Sequence, residues 1–424
     1  MPSHSPHLSS HFSATGPWDQ ILPIPLLPTH LQRTAPIEGS DAFWMTEAWL
    51  ESMRNHGLTR PNPAVGCVLV NAAGKEISRG ITQPFPGLHA EKVAMDRVID
   101  LPSLIGATAY VTLEPCSHIG RNPPCADLLA KSPIRRIVIA RTDPNPLVQG
   151  QGIEKLRASG KQVTLGVLSH EVSAWNLGFL VKHTLKRPLV ALKWAQTLDG
   201  QLADDTMKSH WISGPVSRAY THWLRQNYDL ILVGAQTVLK DFPRLDVRDC
   251  NLPHQGEPLP ILFDPKGLLL NPSEEIQTLL KNRTFLPHRK HVIVTTQTNL
   301  QANPNSWVHD LENVILLAQP GQKLIEELMQ IIQGPEVTQA LGRDVQSIMI
   351  EGGSKTLSHW ISAGYGDIFH TFIAPVLTGG DKNRVTARKL LSQASRLHTL
   401  ASAQLESDIL IEMISQEIKE RIFS

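Results

Sequence analysis

The chain has 424 residues, 41% of them hydrophobic, with 40 Lys and Arg against 39 Asp and Glu. That length can bury more than one core, so two domains are expected, and a net charge of +1 gives no electrostatic reason for nucleic acid or a membrane as the main partner. The four cysteines are too few for a disulfide framework and no run reaches the roughly eighteen apolar residues of a membrane span, which points to a cytoplasmic protein acting on a small metabolite.

Residues 1–40 are rich in Ser, Pro and His, carry only Asp19, Arg33 and Glu38 as charges, and read as a flexible extension. They are too poor in Arg for a targeting peptide. From Asp41 to Asn55 the apolar residues Phe43, Trp44, Met45, Ala48, Trp49 and Met53 recur at helical spacing, and Gly57 stops the run. Ala64 to Val70 is short, apolar and β-branched, and the turn behind it at Asn71 to Gly74 makes it the first arm of a hairpin. His89 to Ile99 is helical again, with His89 and Glu91 in its first turn. A strand from Ala107 to Thr112 leads to Pro115-Cys116, a helix spans Ala126 to Ala130, and Ile134 to Ala140 and Val163 to Gly166 are strands. Alternation of this kind implies a layered α/β domain over residues 41–186. Leu180 to Pro188, basic and closed by a proline, reads as the join. A second α/β domain then occupies residues 187–424, with strands at Leu189 to Lys193, Leu230 to Val233, Ile261 to Phe263, His291 to Thr295, Ser347 to Ile350 and His370 to Ala374. No internal repeat relates the two halves.

The chemistry of the first half is concentrated in His89-Ala90-Glu91, Pro115-Cys116 and Pro124-Cys125. One imidazole and two thiolates suit Zn²⁺ and leave its fourth tetrahedral position open for water, the mark of a catalytic site. A carboxylate two residues after the histidine is placed to move protons between that water and a departing amine. Hydrolytic deamination follows, the pattern known for zinc nucleobase deaminases. The alternative is a structural zinc closed by Cys67 or His118, a site that would have no use for Glu91. The cysteines stand nine residues apart rather than three, so Ser117 to Pro124 would form a loop that joins the substrate pocket, with His118 and Arg121 as polar contacts.

Pro61-Asn62-Pro63-Ala64-Val65-Gly66-Cys67, His89-Ala90-Glu91, Thr112-Leu113-Glu114-Pro115-Cys116-Ser117-His118 through Cys125, and Asp143-Pro144-Asn145-Pro146 together resemble the deaminase half of the bifunctional riboflavin-biosynthesis deaminase and reductase family. The wide cysteine step belongs to that family. The resemblance implies a cytidine-deaminase-like α/β/α fold, zinc on His89, Cys116 and Cys125, Glu91 as proton shuttle, and Asn62, His118, Arg121 and Asn145 around a pyrimidine and ribose phosphate. Thr82 stands where the family commonly has His.

In the second half, Glu351-Gly352-Gly353-Ser354 lies between a strand and a helix-like stretch, where backbone N–H groups can meet a phosphate. Leu192-Lys193-Trp194-Ala195 through Gly200, Ser209-His210-Trp211-Ile212-Ser213, Gly234 to Val238 with Asp241, Leu245 and Arg248, Glu351-Gly352-Gly353, and Ala374-Pro375 with Gly379-Gly380 are similar in order and spacing to the same family's reductase half. That half is dihydrofolate-reductase-like and uses NADPH. The resemblance implies cofactor contacts at Ala195, Trp211, Thr237, Asp241 and Gly353. It implies substrate contacts at Lys193, Ser209, Arg225, Leu245, Arg248 and Glu351, with the arginines on the ribose phosphate. Ser213 and Ser217 replace the usual Thr and Ala, and Ile368 follows Asp367 where Glu is usual. The likeness covers residues 41 to about 380.

The expectation is a homo-oligomeric enzyme that deaminates a phosphorylated pyrimidine and then reduces its ribosyl chain to ribityl. Rival readings are a nucleoside or RNA deaminase, a zinc-stabilised binding module, and a deaminase with an inactive reductase half.

Overall fold

The structure is a computed structural model and describes residues 36–55, 57–118, 123–146, 148–203, 211–248, 257–319, 324–380, 383–385 and 395–423. Residues 1–35 of the expected extension therefore lie outside the described residues, as do Arg121, Ser209 and Cys250.

The helix Asp41–Met53 starts where the Ser40 hydroxyl accepts from the Phe43 N–H at 3.2 Å, a side-chain cap for an otherwise orphaned donor. Five strands follow: β1 (Gly66–Val70), β2 (Glu76–Ile81), β3 (Thr108–Val111), β4 (Arg136–Ile139) and β5 (Gln162–Leu165). They form one sheet in the order β2-β1-β3-β4-β5, antiparallel at the hairpin end and parallel from β3 to β5. All five residues of β1 are buried because both faces are covered. Strand alternation sends Val68 and Val70 to Trp44, Met45 and Trp49 of the first helix. Cys67 and Leu69 pack on the other side with Ala90, Ala94, Leu129 and Leu156 from the helices Ala90–Asp96, Cys125–Lys131 and Gln151–Ala158.

The second sheet has nine strands: β6 (Leu189–Thr197), β7 (Leu230–Gly234), β8 (Leu259–Phe263), β9 (His291–Thr296), β10 (Val314–Gln319), β11 (Ser347–Glu351), β12 (Ile368–Ala374), β13 (Leu397–Leu405) and β14 (Asp408–Ser415). Their order is β10-β9-β8-β7-β11-β6-β12-β14-β13, parallel from β10 to β12 and antiparallel over the last two pairs. The chain moves outward from β6 through β10, then returns to insert β11 between β7 and β6. In an open sheet such a reversal opens a crevice at the carboxyl ends of the strands, the usual place for a ligand.

Two features differ from the sequence reading. The stretch taken as the join is helical through Leu185, within the helix Leu177–Leu185, whose Leu180 and Val181 are fully buried. Those side chains enter a core shared by both halves, so the connection is packed rather than open. Strands β10, β13 and β14 were also not anticipated. The last two pair as a hairpin whose inward positions include Ala401 and Ala403, too small to give a hydrophobic alternation.

Polar contacts fix the loop before β1, to the rest of the first half through Asn176 and to the second half through Arg60. Asn176 grips both backbone groups of Ala64, accepting from its N–H at 2.9 Å and donating to its carbonyl at 3.0 Å. The buried Asp229 carboxylate accepts from Arg343 and from the Gln346 and Ser347 N–H groups, and pairs with Arg60 at 3.3 Å.

Candidate functional site

His89 is the residue before the helix Ala90–Asp96, and Cys125 opens the helix Cys125–Lys131 directly after Pro124. Cys116 sits on the loop that follows β3. Helix Ala90–Asp96 can lie close on β2 because Gly80 is bare: a Cβ there would stand 2.1 Å from the Ala90 carbonyl oxygen. Three segments far apart in the chain thus bring His89 Nδ1 to 3.4 Å from Cys116 Sγ and 3.7 Å from Cys125 Sγ. Tetrahedral zinc with ordinary Zn–S and Zn–N lengths would hold sulfur and nitrogen about 3.5 Å apart, so the donor set fits the ion. Among the described residues these three donors form the group able to hold a metal, and neither Cys67, buried on β1, nor the exposed His118 joins it. The structural-zinc alternative therefore lacks its fourth ligand.

Glu91 is 3% exposed and lies against the same cluster. Burial, reinforced by the neighbouring Cys116, holds its carboxyl up at about 7. The hydrogen bond between the two thiols pulls the pKa of Cys116 down to about 4 and pushes that of Cys125 well above its usual range.

Glu114, one residue before Pro115-Cys116, fixes the opposite wall. Its buried carboxylate accepts from four backbone N–H groups, those of Asp143, Gly150, Gly152 and Ile153, at 3.0 to 3.2 Å. Gly152 is required by this approach, since a Cβ there would meet the Pro115 carbonyl oxygen at 2.2 Å. The clamp sets the loop bearing Asn145 beside the cysteine segment, and sequence reasoning assigned it no part. Asn62 is partly buried on the loop that Asn176 grips. The Thr82 hydroxyl accepts from the Val65 N–H at 3.2 Å, so the residue that departs from the family pattern supports that same loop.

In the second half, Lys193, midway along β6, and Glu351, the last residue of β11, are register partners. The Lys193 ammonium lies 5.2 Å from the centre of the Phe372 ring, and burial lowers its pKa against the pull of Glu351. Glu351 is gripped by Arg225, whose Nε and Nη2 donate to its two oxygens at 2.8 and 2.9 Å. Burial alone would raise the carboxyl, but the charge and hydrogen bonds of Arg225 outweigh it and leave Glu351 at about 2. Arg225 Nη1 also donates to the Asp246 carbonyl at 2.9 Å. The guanidinium expected on a ribose phosphate is thus held against protein groups by the pairing of the helix Pro215–Gln226 with β11. Arg248 is one-third exposed and pairs with Asp246.

Leu245 is buried in a left-handed conformation at φ 55° on the loop between β7 and β8. Thr237 and Asp241 lie on the helix Ala235–Asp241, which begins directly after β7, and Ala195 is on β6. Gly353 caps the helix Ser354–Ser362 after β11, and a Cβ on it would project into open space, which leaves the helix end open to a phosphate. Trp211 is exposed with Arg218 4.5 Å above its ring. The structure therefore gathers Lys193, Glu351, Gly353, Arg225 and the start of the Thr237 helix at one end of the sheet. Ser209 and Arg121 lie outside the described residues.

Comparisons with known proteins agree with this two-part layout. Residues 39–141 match the cytidine and deoxycytidylate deaminase zinc-binding region, and residues 188–411 match the RibD C-terminal domain. The chain is 35% identical over 339 residues to the riboflavin biosynthesis protein RibD of Aquifex aeolicus, covering 80% of this chain and 88% of that protein. The chain belongs to the RibD family. Its members join a zinc-binding deaminase domain to a reductase domain in riboflavin biosynthesis, and this chain is such a bifunctional enzyme. RibD of Escherichia coli is 33% identical, with 80% of this chain and 89% of that protein covered. Among solved structures, Acinetobacter baumannii RibD is 30% identical with a TM-score of 0.71, covering 89% of this chain and 99% of that one. A diaminohydroxyphosphoribosylaminopyrimidine deaminase/5-amino-6-(5-phosphoribosylamino)uracil reductase from Thermotoga maritima is 31% identical with a TM-score of 0.73, covering 88% and 98%. No helix among the described residues is long and apolar enough to cross a membrane.

Proposed function

We propose that this RibD chain deaminates diaminohydroxyphosphoribosylaminopyrimidine at a zinc held by His89, Cys116 and Cys125, and then reduces 5-amino-6-(5-phosphoribosylamino)uracil with NADPH. The observation that carries the first step is the meeting of one imidazole and two thiols at zinc-ligand separations, with the buried Glu91 beside them. Zinc, when bound, lowers the pKa of coordinated water and so provides a nucleophile at neutral pH. Glu91 takes up the proton that the water loses and delivers it to the departing amine. Asn62, His118, Arg121 and Asn145 line the pyrimidine and ribose phosphate pocket, and Glu114 and Asn176 hold the two loops that carry Asn145 and Asn62.

For the second step, NADPH, when bound, supplies the hydride. Ala195, Trp211, Thr237, Asp241 and Gly353 contact the cofactor. Lys193, Ser209, Arg225, Leu245, Arg248 and Glu351 contact the substrate, with the arginines on its phosphate, and Arg225 also keeps Glu351 ionised and oriented. The same reading makes the protein a cytoplasmic homo-oligomer that binds no nucleic acid. Its support is the unpaired state of Cys67, Cys116 and Cys125 and the position of β13 at the edge of the large sheet.

The test separates the centres. A Glu91→Gln protein retains zinc and loses ammonia release by about a hundredfold or more, while NADPH oxidation on the deaminated product continues. Undiminished deamination would remove Glu91 from its role, and NADPH oxidation absent from the unaltered protein would leave a deaminase alone.

A further inference from the structure

Asn62 sits between two anchors that come from different halves of the molecule. On its carboxyl side Ala64 is gripped by Asn176, a residue of the first half. On its amino side the chain leans on the second half. Arg60 Nη2 donates to the Gln226 carbonyl at 2.8 Å, Arg60 Nε stands 3.3 Å from Asp229 Oδ1, and Gln346 Nε2 donates to the Pro61 carbonyl at 2.7 Å. Gly57 permits the approach, because a Cβ there would stand 2.8 Å from the Gln226 carbonyl oxygen.

These contacts are buried on both sides. The Arg60 side chain is 9% exposed, Asp229 is fully buried and Gln346 nearly so, so a guanidinium has left water to reach its partners. Burial lowers the Arg60 pKa to about 10 against the pull of Asp229. Asp229 Oδ2 also accepts from the Gln346 and Ser347 N–H groups at 2.8 and 3.1 Å. The carboxylate that receives Arg60 and the amide that holds Pro61 therefore form one unit at the start of β11, with Glu351 and the second centre at that strand's other end. On the loop, the turn from Thr59 to Asn62 is closed twice. The Thr59 hydroxyl donates to the Asn62 carbonyl at 2.9 Å, and the Asn62 N–H donates to the Thr59 carbonyl at 3.0 Å. Arg60 and Pro61 are the two residues inside that turn, so a displacement of either carries Asn62 with it.

We propose that the second half positions the substrate loop of the first: Asp229, Gln346 and the Gln226 carbonyl hold Arg60 and Pro61, and through the Thr59–Asn62 turn they set Asn62 for deamination. This rests on the reading that Asn62 lines the pyrimidine pocket. The pocket of the first reaction is then complete only with the second half docked, and its loop is ordered before substrate arrives rather than by it. Asp229 and Gln346 are positioning residues for a reaction whose metal and proton shuttle lie wholly in the other half.

Gln346→Met and Arg60→Met test this in the full chain, since each removes the donors and keeps a long side chain. Arg60→Met leaves Asp229 paired with Arg343, so no buried carboxylate is stranded, and should that variant not fold, Gln346→Met decides alone. Each is expected to raise the Michaelis constant for ammonia release about fivefold or more, with kcat for deamination and both constants for NADPH oxidation held within about twofold. Zinc content should stay the same. Asn62→Ala is measured alongside. If neither anchor variant raises the constant, the proposal is overturned, and the response of Asn62→Ala then decides the role of Asn62 by itself. If the anchor variants raise it and Asn62→Ala does not, the anchoring stands and another residue of the loop meets the substrate. A loss confined to kcat, or a matching loss of NADPH oxidation, would also overturn the proposal, because either marks a general loosening rather than a displaced loop.

Discussion

Arg225 and Glu351 face each other in a two-pronged ion pair, with both hydrogen bonds under 3 Å and the two side chains 10% and 14% exposed. The pair joins a helix to the end of β11 across 126 positions of sequence. Removing one partner leaves the other charge buried, a loss of about 3–5 kcal/mol. Glu351→Gln is therefore expected to lower the unfolding midpoint in urea and to abolish NADPH oxidation, with ammonia release preserved below the new midpoint. Equal loss of both activities in folded protein would show that the pair does not serve the second centre alone.

Metal removal should divide the enzyme in the same way. A strong chelator is expected to eliminate ammonia release while NADPH oxidation on deaminated substrate persists. Cys125→Ala should reproduce this and lower bound zinc to below about one tenth per chain, read by atomic absorption.

Glu114 is expected to act on substrate binding through position. In Glu114→Gln an amide N–H₂ replaces one acceptor oxygen that now serves two backbone N–H groups, which loosens the Asn145 loop. The Michaelis constant for deamination should rise by about tenfold or more, with zinc content unchanged. A fall in zinc content with an unchanged Michaelis constant would assign Glu114 to the metal segment instead.

Ser217 departs from the Ala usual in the family, and its hydroxyl donates to the buried Asp408 carboxylate at 2.6 Å. The Gly214 N–H donates to the same oxygen at 2.7 Å, so the helix start and the β13–β14 turn share one anchor. Ser217→Ala should cost about 1–3 kcal/mol in a denaturant melt without altering either catalytic rate. An unchanged melt would mean that Gly214 suffices.

Two buried histidines set an acid limit. Burial, with neighbouring arginines adding to it, lowers His222 and His291 to about 4. Between about pH 6.5 and 4 the unfolded chain takes up protons that the fold refuses, so stability falls as pH drops through that window, by at most about 1.4 kcal/mol per pH unit for each histidine. His291→Phe should flatten the slope of midpoint against pH in this range. A slope equal to that of the unaltered protein would exclude His291 as a source.

The interior strands were legible because β7, β8 and β9 are buried on both faces and therefore carry Val, Ile or Leu at most positions of short runs. The β13–β14 hairpin was not, because it alternates exposed and buried positions and fills four of the latter with Ala401, Ala403, Asp408 and Glu412. The helix Leu177–Leu185 was read as a join because its basic residues mask an apolar stripe that becomes a stripe only when the helix is wound.

Residue identity and order alone determined the chemistry: one His, one Glu and two Pro-Cys steps define a reaction type wherever the fold brings them together. The nine-residue cysteine step and the second set of motifs narrowed that to one family. Tertiary structure decided which groups are spent on one another. It paired Arg225 with Glu351, and it turned Glu114 from part of a motif into the clamp of a loop. It also placed Tyr228, His370 and Glu412 in one hydrogen-bonded chain. Such pairings depend on strand register and helix docking between residues tens to hundreds of positions apart, and local composition carries no record of them.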